Sequence, residues 1–320
     1  MKPLFTLALL FVTVLCLAQR QNVYFLKNDG RYVKQRDSAD YIRVVREPDS
    51  ASNLYNVFEF YPNGASKLEG KSSAINPPAY EGACAKFYPN GKRQSVLTYK
   101  AGKLVGNAYE FYPNGKLYVV KKFPDVANAD DDMQDSYQIT AENDSLGTVL
   151  IADGNGYFKA YNDKFTAVVE EGNVKNGKRD GNWKGSDPGQ GITYSETYED
   201  GKFLSGTSIG KNGDSIKYNV RDVEPQFKGG VKDFYRYLGR NIAYPDYERE
   251  HNIQGKVILT FIVEKNGELS NIKVLSSVSD NIDKEAIRVV SESPKWIPGT
   301  EYGRNCRVYY TIPIDFSLSN

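Results

Sequence analysis

The sequence has few of the side chains on which catalysis and metal binding usually depend. Among its 320 residues there are one histidine, His251, and three cysteines. These residues show no metal-ligand spacing, and no local motif around His251 pairs a base with a nucleophile. We therefore expect a protein that is not an enzyme and that uses no metal or cofactor, with His251 on the surface.

Long apolar runs are also missing, except at residues 4–15. This run is too short to span a bilayer comfortably, and Ala18 after it is a small residue of the kind that signal peptidase requires. We expect residues 1–18 to be a signal peptide and the exported chain to begin at Gln19. The alternatives are an uncleaved anchor, which would leave the protein on the inner membrane, and a lipid anchor at Cys16.

Excess charge is missing as well. Removing residues 1–18 removes one lysine from the 41 Lys and Arg residues, which leaves 40 against 40 Asp and Glu. A net charge of zero argues against nucleic acid or an anionic membrane as the main partner. The same removal leaves Cys84 and Cys306, far apart in the chain, so we exclude a disulfide framework and expect two unpaired thiols.

What the sequence does contain is a repeat. The pentapeptide FYPNG occurs at residues 60–64, 87–91 and 111–115. In each copy phenylalanine alternates with a charged residue, which predicts a strand that buries its phenylalanine face and exposes its charged face. Pro-Asn-Gly predicts a three-residue hairpin loop with a bulge. We thus expect Phe87 in the core and Tyr88 on the more exposed face. In the three copies the adjacent charged and phenylalanine residues are Glu59 and Phe60, Lys86 and Phe87, and Glu110 and Phe111.

Weaker copies of the repeat occur at residues 99–106, 174–183 and 198–206. Together these segments resemble the MORN-like repeats of the YwqK type, which implies that residues 19–220 form an extended antiparallel sheet of β-hairpins. Tyr61, Tyr88 and Tyr112 have two interpretations. They form either an exposed aromatic row that binds a glycan or a protein, or cross-strand contacts that stabilise the sheet, and repeat stacking favours the second.

An acidic run lies at residues 125–135. Its carboxylates suggest calcium, but the alternating ligands and central glycine of an EF-hand loop are missing. A solvated loop is the favoured interpretation.

The pattern changes near residue 222. Apolar residues from Val231 to Ile242 recur at helical spacing, residues 256–264 alternate as a strand, and Asn266-Gly267 predicts a two-residue hairpin turn. A return strand, a second amphipathic helix and a last strand at 307–316 follow. We expect an α+β domain at 222–320, with three antiparallel strands and two helices on one face.

The last strand is predicted to lie beside the first, at an edge of this sheet, because a right-handed crossover from the second strand to the last can skip past the first. Pro313 agrees with an edge, since proline donates no ladder hydrogen bond. Alternation predicts that one set of side chains faces the helices and the other set faces an open, partly apolar side that includes Ile258 and Ile262. The first set is Val308, Tyr310, Ile312 and Ile314, and the second is Arg307, Tyr309, Thr311 and Pro313.

This segment resembles the C-terminal domain of TonB in the form common in Bacteroidota. The matching motifs are EPQFKGG at 224–230, NIAYP at 241–245, IQGKV at 253–257, NG at 266–267, DKEAI at 283–287, PKWIPG at 294–299 and YTIPIDF at 310–316. The resemblance implies a periplasmic domain that captures the TonB box of an outer-membrane transporter as a strand added beside its last strand. The partner-binding residues it implies are Ala243, Tyr244, Pro245, Arg307, Tyr309, Thr311 and Pro313.

The chain departs from that family in one respect that bears on function. TonB has an uncleaved transmembrane helix and a Pro-rich spacer, whereas this chain has an expected signal peptide and repeats. We therefore expect a non-enzymatic exported protein that binds a protein partner by edge-strand addition. The alternatives are an energy transducer, if the N-terminus stays anchored, and an envelope scaffold in which the repeats bind. Self-association through the TonB-like domain also stays open.

Overall fold

A computed structural model describes residues 20–125 and 137–318 of the chain. The predicted signal peptide and nearly all of the acidic run therefore lie outside the described residues. Contacts divide the chain into two compact units. The first extends to Gly156 and includes Asn176–Lys178, and the second contains Tyr157–Lys175 and the chain from Arg179 onward.

The elements are mostly strands. They are β1 (Gln21–Leu26), β2 (Tyr41–Arg46), β3 (Tyr55–Phe60), β4 (Ser66–Ser72), β5 (Tyr80–Phe87), β6 (Arg93–Lys100), β7 (Lys103–Leu104), β8 (Gly106–Phe111), β9 (Leu117–Phe123), β10 (Gln138–Asn143), β11 (Val149–Ala152), β12 (Asn155–Tyr161), β13 (Val168–Lys175), β14 (Lys178–Asp187), β15 (Ile192–Glu199), β16 (Lys202–Gly210), β17 (Ser215–Tyr218), β18 (Asp222–Val223), α1 (Gly230–Asn241), α2 (Asp246–Glu250), β19 (Gly255–Val263), β20 (Leu269–Ser276), α3 (Asp280–Ser291), β21 (Thr300–Glu301), β22 (Arg304–Asn305) and β23 (Val308–Phe316).

In the first unit the strands pair antiparallel in sequence order. Each of β1 to β5 pairs with the next strand, β6 pairs with β7 and β8, and β8 to β11 continue the series. This confirms the predicted mainly β architecture of antiparallel hairpins.

The FYPNG turns have the predicted geometry. The Tyr61 N–H donates to the Ala65 carbonyl at 2.8 Å and the Gly64 N–H donates to the Tyr61 carbonyl at 2.9 Å. Gly64 has a φ of +85°, the left-handed conformation that the third loop residue of such a hairpin needs. The same bonds recur in the next two copies.

The turn at Asn266-Gly267 differs from the prediction. The Glu264 N–H donates to the Glu268 carbonyl and the Gly267 N–H donates to the Glu264 carbonyl, both at 2.8 Å. The loop is therefore the three-residue type of the FYPNG turns rather than a two-residue turn. The hairpin exists as expected, but Asn-Gly occupies the last two positions of a longer loop.

The predicted faces of the repeat strands are wrong. Glu59 is 3% exposed and lies on the face of Val57, whereas Phe60 and Phe87 are half-buried on the opposite face. The Glu59 carboxylate can be buried because Arg43 Nη2 and Lys67 Nζ each lie 2.8 Å from it and neutralise it. Alternation was therefore correct, but the charged residues face inward.

The FYPNG tyrosines bond each repeat to the next. The Tyr61 hydroxyl donates to the Phe87 carbonyl at 2.8 Å, and the Tyr88 hydroxyl donates to the Phe111 carbonyl at 2.7 Å. The Tyr112 hydroxyl continues the series at 3.0 Å to a carbonyl of the following hairpin. These bonds support the interpretation that the tyrosines stabilise the sheet.

The second unit contains a sheet formed by β14 to β17. Glu196 is 1% exposed in this sheet and accepts hydrogen bonds from the Tyr198 hydroxyl at 2.8 Å and the Tyr218 hydroxyl at 2.7 Å. Arg221 Nε lies 3.5 Å from the same carboxylate. We call these four residues the Glu196 network.

The C-terminal part of the second unit has the predicted α+β fold. Its sheet has the order β20-β19-β23, with the last strand beside the first, as expected. Phe234 of α1 and Ile282 of α3 are fully buried in one core with the inward residues of the sheet, such as Ile314. The alternation of β23 is confirmed, and the short helix α2 was not predicted.

A small hairpin, β21–β22, packs on β15 to β17. Tyr302 at its tip is 6% exposed, stacks on Tyr194 with ring centroids 4.5 Å apart, and accepts a hydrogen bond from Arg221 Nη2 at 2.6 Å. Ser208 Oγ donates to the Tyr302 carbonyl at 2.9 Å. Tyr302 thus joins the C-terminal α+β region to strands β15 to β17.

The tyrosine bonds between repeats predict a stability effect. We expect Tyr88→Phe to lower the free energy of unfolding of the first unit by about 1 kcal/mol, because the mutant loses one hydrogen bond and keeps the ring. Tyr109→Phe, on an exposed side chain, should have almost no effect. The stability of both variants can be measured from the hydrogen-exchange protection of backbone amides in peptides from β5 to β8. Equal protection in the two variants would contradict the structural role of Tyr88.

The Tyr302 contact predicts a larger effect. Tyr302→Ala should destabilise the second unit by about 3–5 kcal/mol, because it removes a buried ring. The matched control is Tyr309→Ala, at a site 75% exposed, where we expect a change within about 0.5 kcal/mol. Both tryptophans, Trp183 and Trp296, belong to the second unit, so urea unfolding followed by tryptophan fluorescence reports this unit alone. Similar midpoints for the two variants would show that the hairpin does not hold the unit together.

Candidate partner-binding site

Strand β23 forms an edge of the C-terminal sheet. It pairs antiparallel with β19 along its whole length, with Thr311 opposite Thr260 and Pro313 opposite Ile258. Within the described part of the chain no other strand pairs with it. Its outer side therefore presents backbone groups that an incoming strand could satisfy.

The outward face of β23 is exposed, as predicted. Tyr309 is 75% exposed, and Thr311 and Pro313 are also exposed. The neighbouring face of β19 is less open than expected, because Ile262, directly opposite Tyr309 in register, is only 4% exposed. On the outward face of β19 and β23, the apolar surface open to a partner is therefore that of Tyr309, Pro313 and the half-buried Ile258.

Arg307 precedes the strand and is already paired. Its Nε and Nη2 atoms donate to the two carboxylate oxygens of Glu264 at 2.7 and 2.9 Å. This bidentate contact, followed by the Ser270 hydroxyl, lowers the pKa of Glu264. Arg307 therefore positions the start of β23, and binding an anionic partner would require it to leave Glu264.

The Ala243-Tyr244-Pro245 segment is fixed from α3. The Ala243 N–H donates to Glu285 Oε1 at 2.6 Å, and Arg288 Nη2 donates to the same carboxylate at 2.7 Å. The Arg288 contact first, and the Ala243 N–H next, lower the pKa of Glu285. The segment is thus held in one conformation. Binding a partner there would cost less conformational entropy than binding to a flexible segment.

Tyr244 connects this segment to the end of β23. Its hydroxyl donates to the Ile253 carbonyl at 2.7 Å, and its ring centroid lies 5.9 Å from that of Phe316. Pro245 immediately precedes α2. Of the three residues, Ala243 is exposed while Tyr244 and Pro245 are half-buried.

The predicted site residues consequently fall into two groups. Tyr244 lies against the C-terminal end of β23, whereas Arg307 flanks its N-terminal end, about 30 Å away along an extended strand. The exposed side chains of Tyr309, Thr311 and Pro313 lie between them. The structure therefore brings these residues to one edge but not into one cluster.

One structural residue was missed by the sequence analysis. Glu248 of α2 is 2% exposed and accepts hydrogen bonds from Ser279 Oγ at 2.8 Å and Asn281 Nδ2 at 3.1 Å, which join α2 to the start of α3. Proline followed by an acidic residue is a helix-start pattern, so Pro245-Asp246 was the available signal for α2.

Across residues 20–125 and 137–318 no three His, Cys, Asp or Glu side chains are grouped as metal ligands, and no helix is long and apolar enough to cross a membrane. His251 is exposed, as predicted, and its ring stacks on Tyr247. Cys84 and Cys306 are both unpaired, as predicted.

Comparison with known proteins identifies one family. Residues 240–318 match the model of the Gram-negative bacterial TonB protein C-terminal domain. A search of curated proteins found no match. The matched residues include the Tyr-Pro segment, α2 and β23, so the candidate site lies within the similarity. The family is a non-enzymatic protein-interaction domain of the cell envelope, and residues 240–318 of this chain are similar to it.

Proposed function

We propose that the chain is a non-enzymatic exported protein of the cell envelope whose C-terminal domain, residues 222–320, binds a protein partner by adding the partner's strand to β23. The observation that carries the proposal is the edge position of β23, whose outward side chains are exposed over its whole middle section. Main-chain hydrogen bonds would supply affinity, and the side chains of Tyr309 and Thr311 would supply specificity.

Pro313 indicates which backbone N–H groups of β23 face outward and limits how far an added strand can pair. A proline in an edge strand has its nitrogen on the solvent side, because on the other side a ladder bond would be lost. Residues two apart in a strand direct their N–H groups to the same side, so the Thr311 N–H also faces outward. The added strand would therefore pair from Val308 to Ile312 and lose one donor at Pro313.

The partner class that fits best is the TonB-box-like segment of an outer-membrane transporter. The similarity of residues 240–318 supports this class, and the fixed Tyr-Pro segment beside Phe316 supports a second contact at the C-terminal end of β23. A second copy of the chain pairing through β23 would use the same edge, and the experiment below separates the two.

We also propose that residues 19–220 form MORN-like repeats that act as a spacer in place of the family's Pro-rich segment. The recurring three-residue turns and the tyrosine bonds between successive copies support this assignment. The bonds use the tyrosine hydroxyls internally, so they favour a structural role for the repeats over binding through these side chains. An envelope scaffold that binds through its repeats stays the alternative.

The strand-addition proposal predicts the effect of a single backbone change. Thr311→Pro should weaken binding of synthetic peptides from the N-termini of the organism's TonB-dependent transporters by about tenfold or more, because it removes an outward donor and obstructs pairing. The matched control Thr311→Val keeps the N–H and should bind normally. Fluorescence anisotropy measures binding, and a thermal melt checks the fold.

Two outcomes would reject this mode of binding. One is normal peptide binding by a folded Thr311→Pro variant. The other is a wild-type protein that binds no peptide but forms dimers that Thr311→Pro dissociates, which would assign the edge to self-association.

The cellular location gives an independent prediction. We expect mass spectrometry of the protein released by osmotic shock to find Gln19 as the N-terminus, because the apolar run at 4–15 is short and Ala18 follows it. The inner-membrane fraction is the control. An intact N-terminus in that fraction would instead favour an energy transducer.

A further inference from the structure

The first unit contains a lysine at a position where the repeat otherwise has a glutamate. Glu59 in the first FYPNG copy is neutralised by Arg43 and Lys67, and Glu110 in the third is paired with Lys121 at 2.7 Å. Lys86 occupies the same position in the second copy. Within residues 20–125 and 137–318 it makes no hydrogen bond or ion pair, although it is half-buried.

Lys86 lines a cavity of about 370 Å³ on the inward face of this sheet. Register places Glu59 opposite Leu68 and Leu68 opposite Lys86, so the three side chains follow one line across β3, β4 and β5. Arg43 and Lys67 line the same cavity. With three cations and one carboxylate, the lining has an excess of two positive charges.

The cavity also contains polar groups without a protein partner. The hydroxyls of Tyr80 and Tyr99 make no hydrogen bond among the described residues, and neither does the exposed side-chain amide of Gln94. The two tyrosine rings lie 5.5 Å apart. Gly70 lies beside this pair: a Cβ added there would be 3.5 Å from Tyr80 Cδ1 and 3.0 Å from Cys84 Sγ.

We propose that this cavity binds a sugar acid. Lys86 pairs with its carboxylate, and the Tyr80 and Tyr99 hydroxyls and the Gln94 amide bond its ring hydroxyls. A neutral sugar would leave Lys86 unpaired, and inorganic phosphate would leave the tyrosine and amide groups unsatisfied. The volume suits a monosaccharide unit, since the smallest pockets that bind small molecules have a volume of about 300 Å³. This site is separate from β23 and does not depend on the proposed function.

The direct test is a titration of the full exported chain with sodium glucuronate, glucose and inorganic phosphate by isothermal calorimetry. We expect glucuronate to bind about tenfold or more tightly than either of the others, and its binding to weaken as sodium chloride is raised, because charge pairing at an open site is screened. Equal affinity for phosphate would reduce the site to a general anion site and overturn the proposal. No preference over glucose would overturn it as well.

Variants identify the groups involved. Lys86→Glu restores the residue type of the other two copies and should reduce glucuronate affinity at least about tenfold. The matched control is Lys122→Glu, the same charge change at an exposed lysine outside the cavity, and it should bind normally. Tyr99→Phe, which keeps the ring, should weaken glucuronate binding severalfold.

A fold check accompanies these measurements. If Lys86→Glu lowers the melting temperature, Lys86→Gln replaces it, since that variant removes the charge without adding a carboxylate. Wild-type affinity in a folded Lys86→Gln variant would show that the lysine does not bind the ligand.

Discussion

A carboxylate inside a protein is stable only when cations and hydrogen-bond donors surround it, and the second unit depends on how Glu196 meets that condition. Two tyrosine hydroxyls and Arg221 surround it, and Arg221 also donates to the Tyr302 hydroxyl. Burial raises the pKa of Tyr198 to about 12, so its hydroxyl keeps its proton and remains a donor throughout the physiological pH range. Through Arg221, the buried Glu196 carboxylate links strand β15 to Tyr302 at the tip of hairpin β21–β22.

The sequence predicted the elements better than it predicted which side of them is buried. Proline, asparagine and glycine have conformational preferences that act locally, so the FYPNG loops follow from five residues. Alternation has a period of two and separates two faces without identifying the inner one. An apolar Phe87 indicated a buried face and a charged Glu59 indicated an exposed face. Arg43 and Lys67, on the two neighbouring strands, neutralise the Glu59 carboxylate, and Glu59 is therefore buried.

The candidate site was predictable to a similar extent. Pro313 and the order of elements indicated an edge strand, because both constraints are local or topological. The support for Ala243 comes from Glu285, 42 residues later, and no local pattern reveals that contact. The burial of Tyr302 was not predicted, because its contacts are with Tyr194 and Ser208, about 100 residues earlier in the chain.

These contacts determine how rigid the edge strand β23 is before a partner binds. Strand β22 ends at Asn305 and β23 begins at Val308, so the buried tip at Tyr302 and the Arg307–Glu264 pair together fix the start of the edge. An edge held in advance needs little ordering when a partner arrives, which favours affinity from main-chain bonds alone.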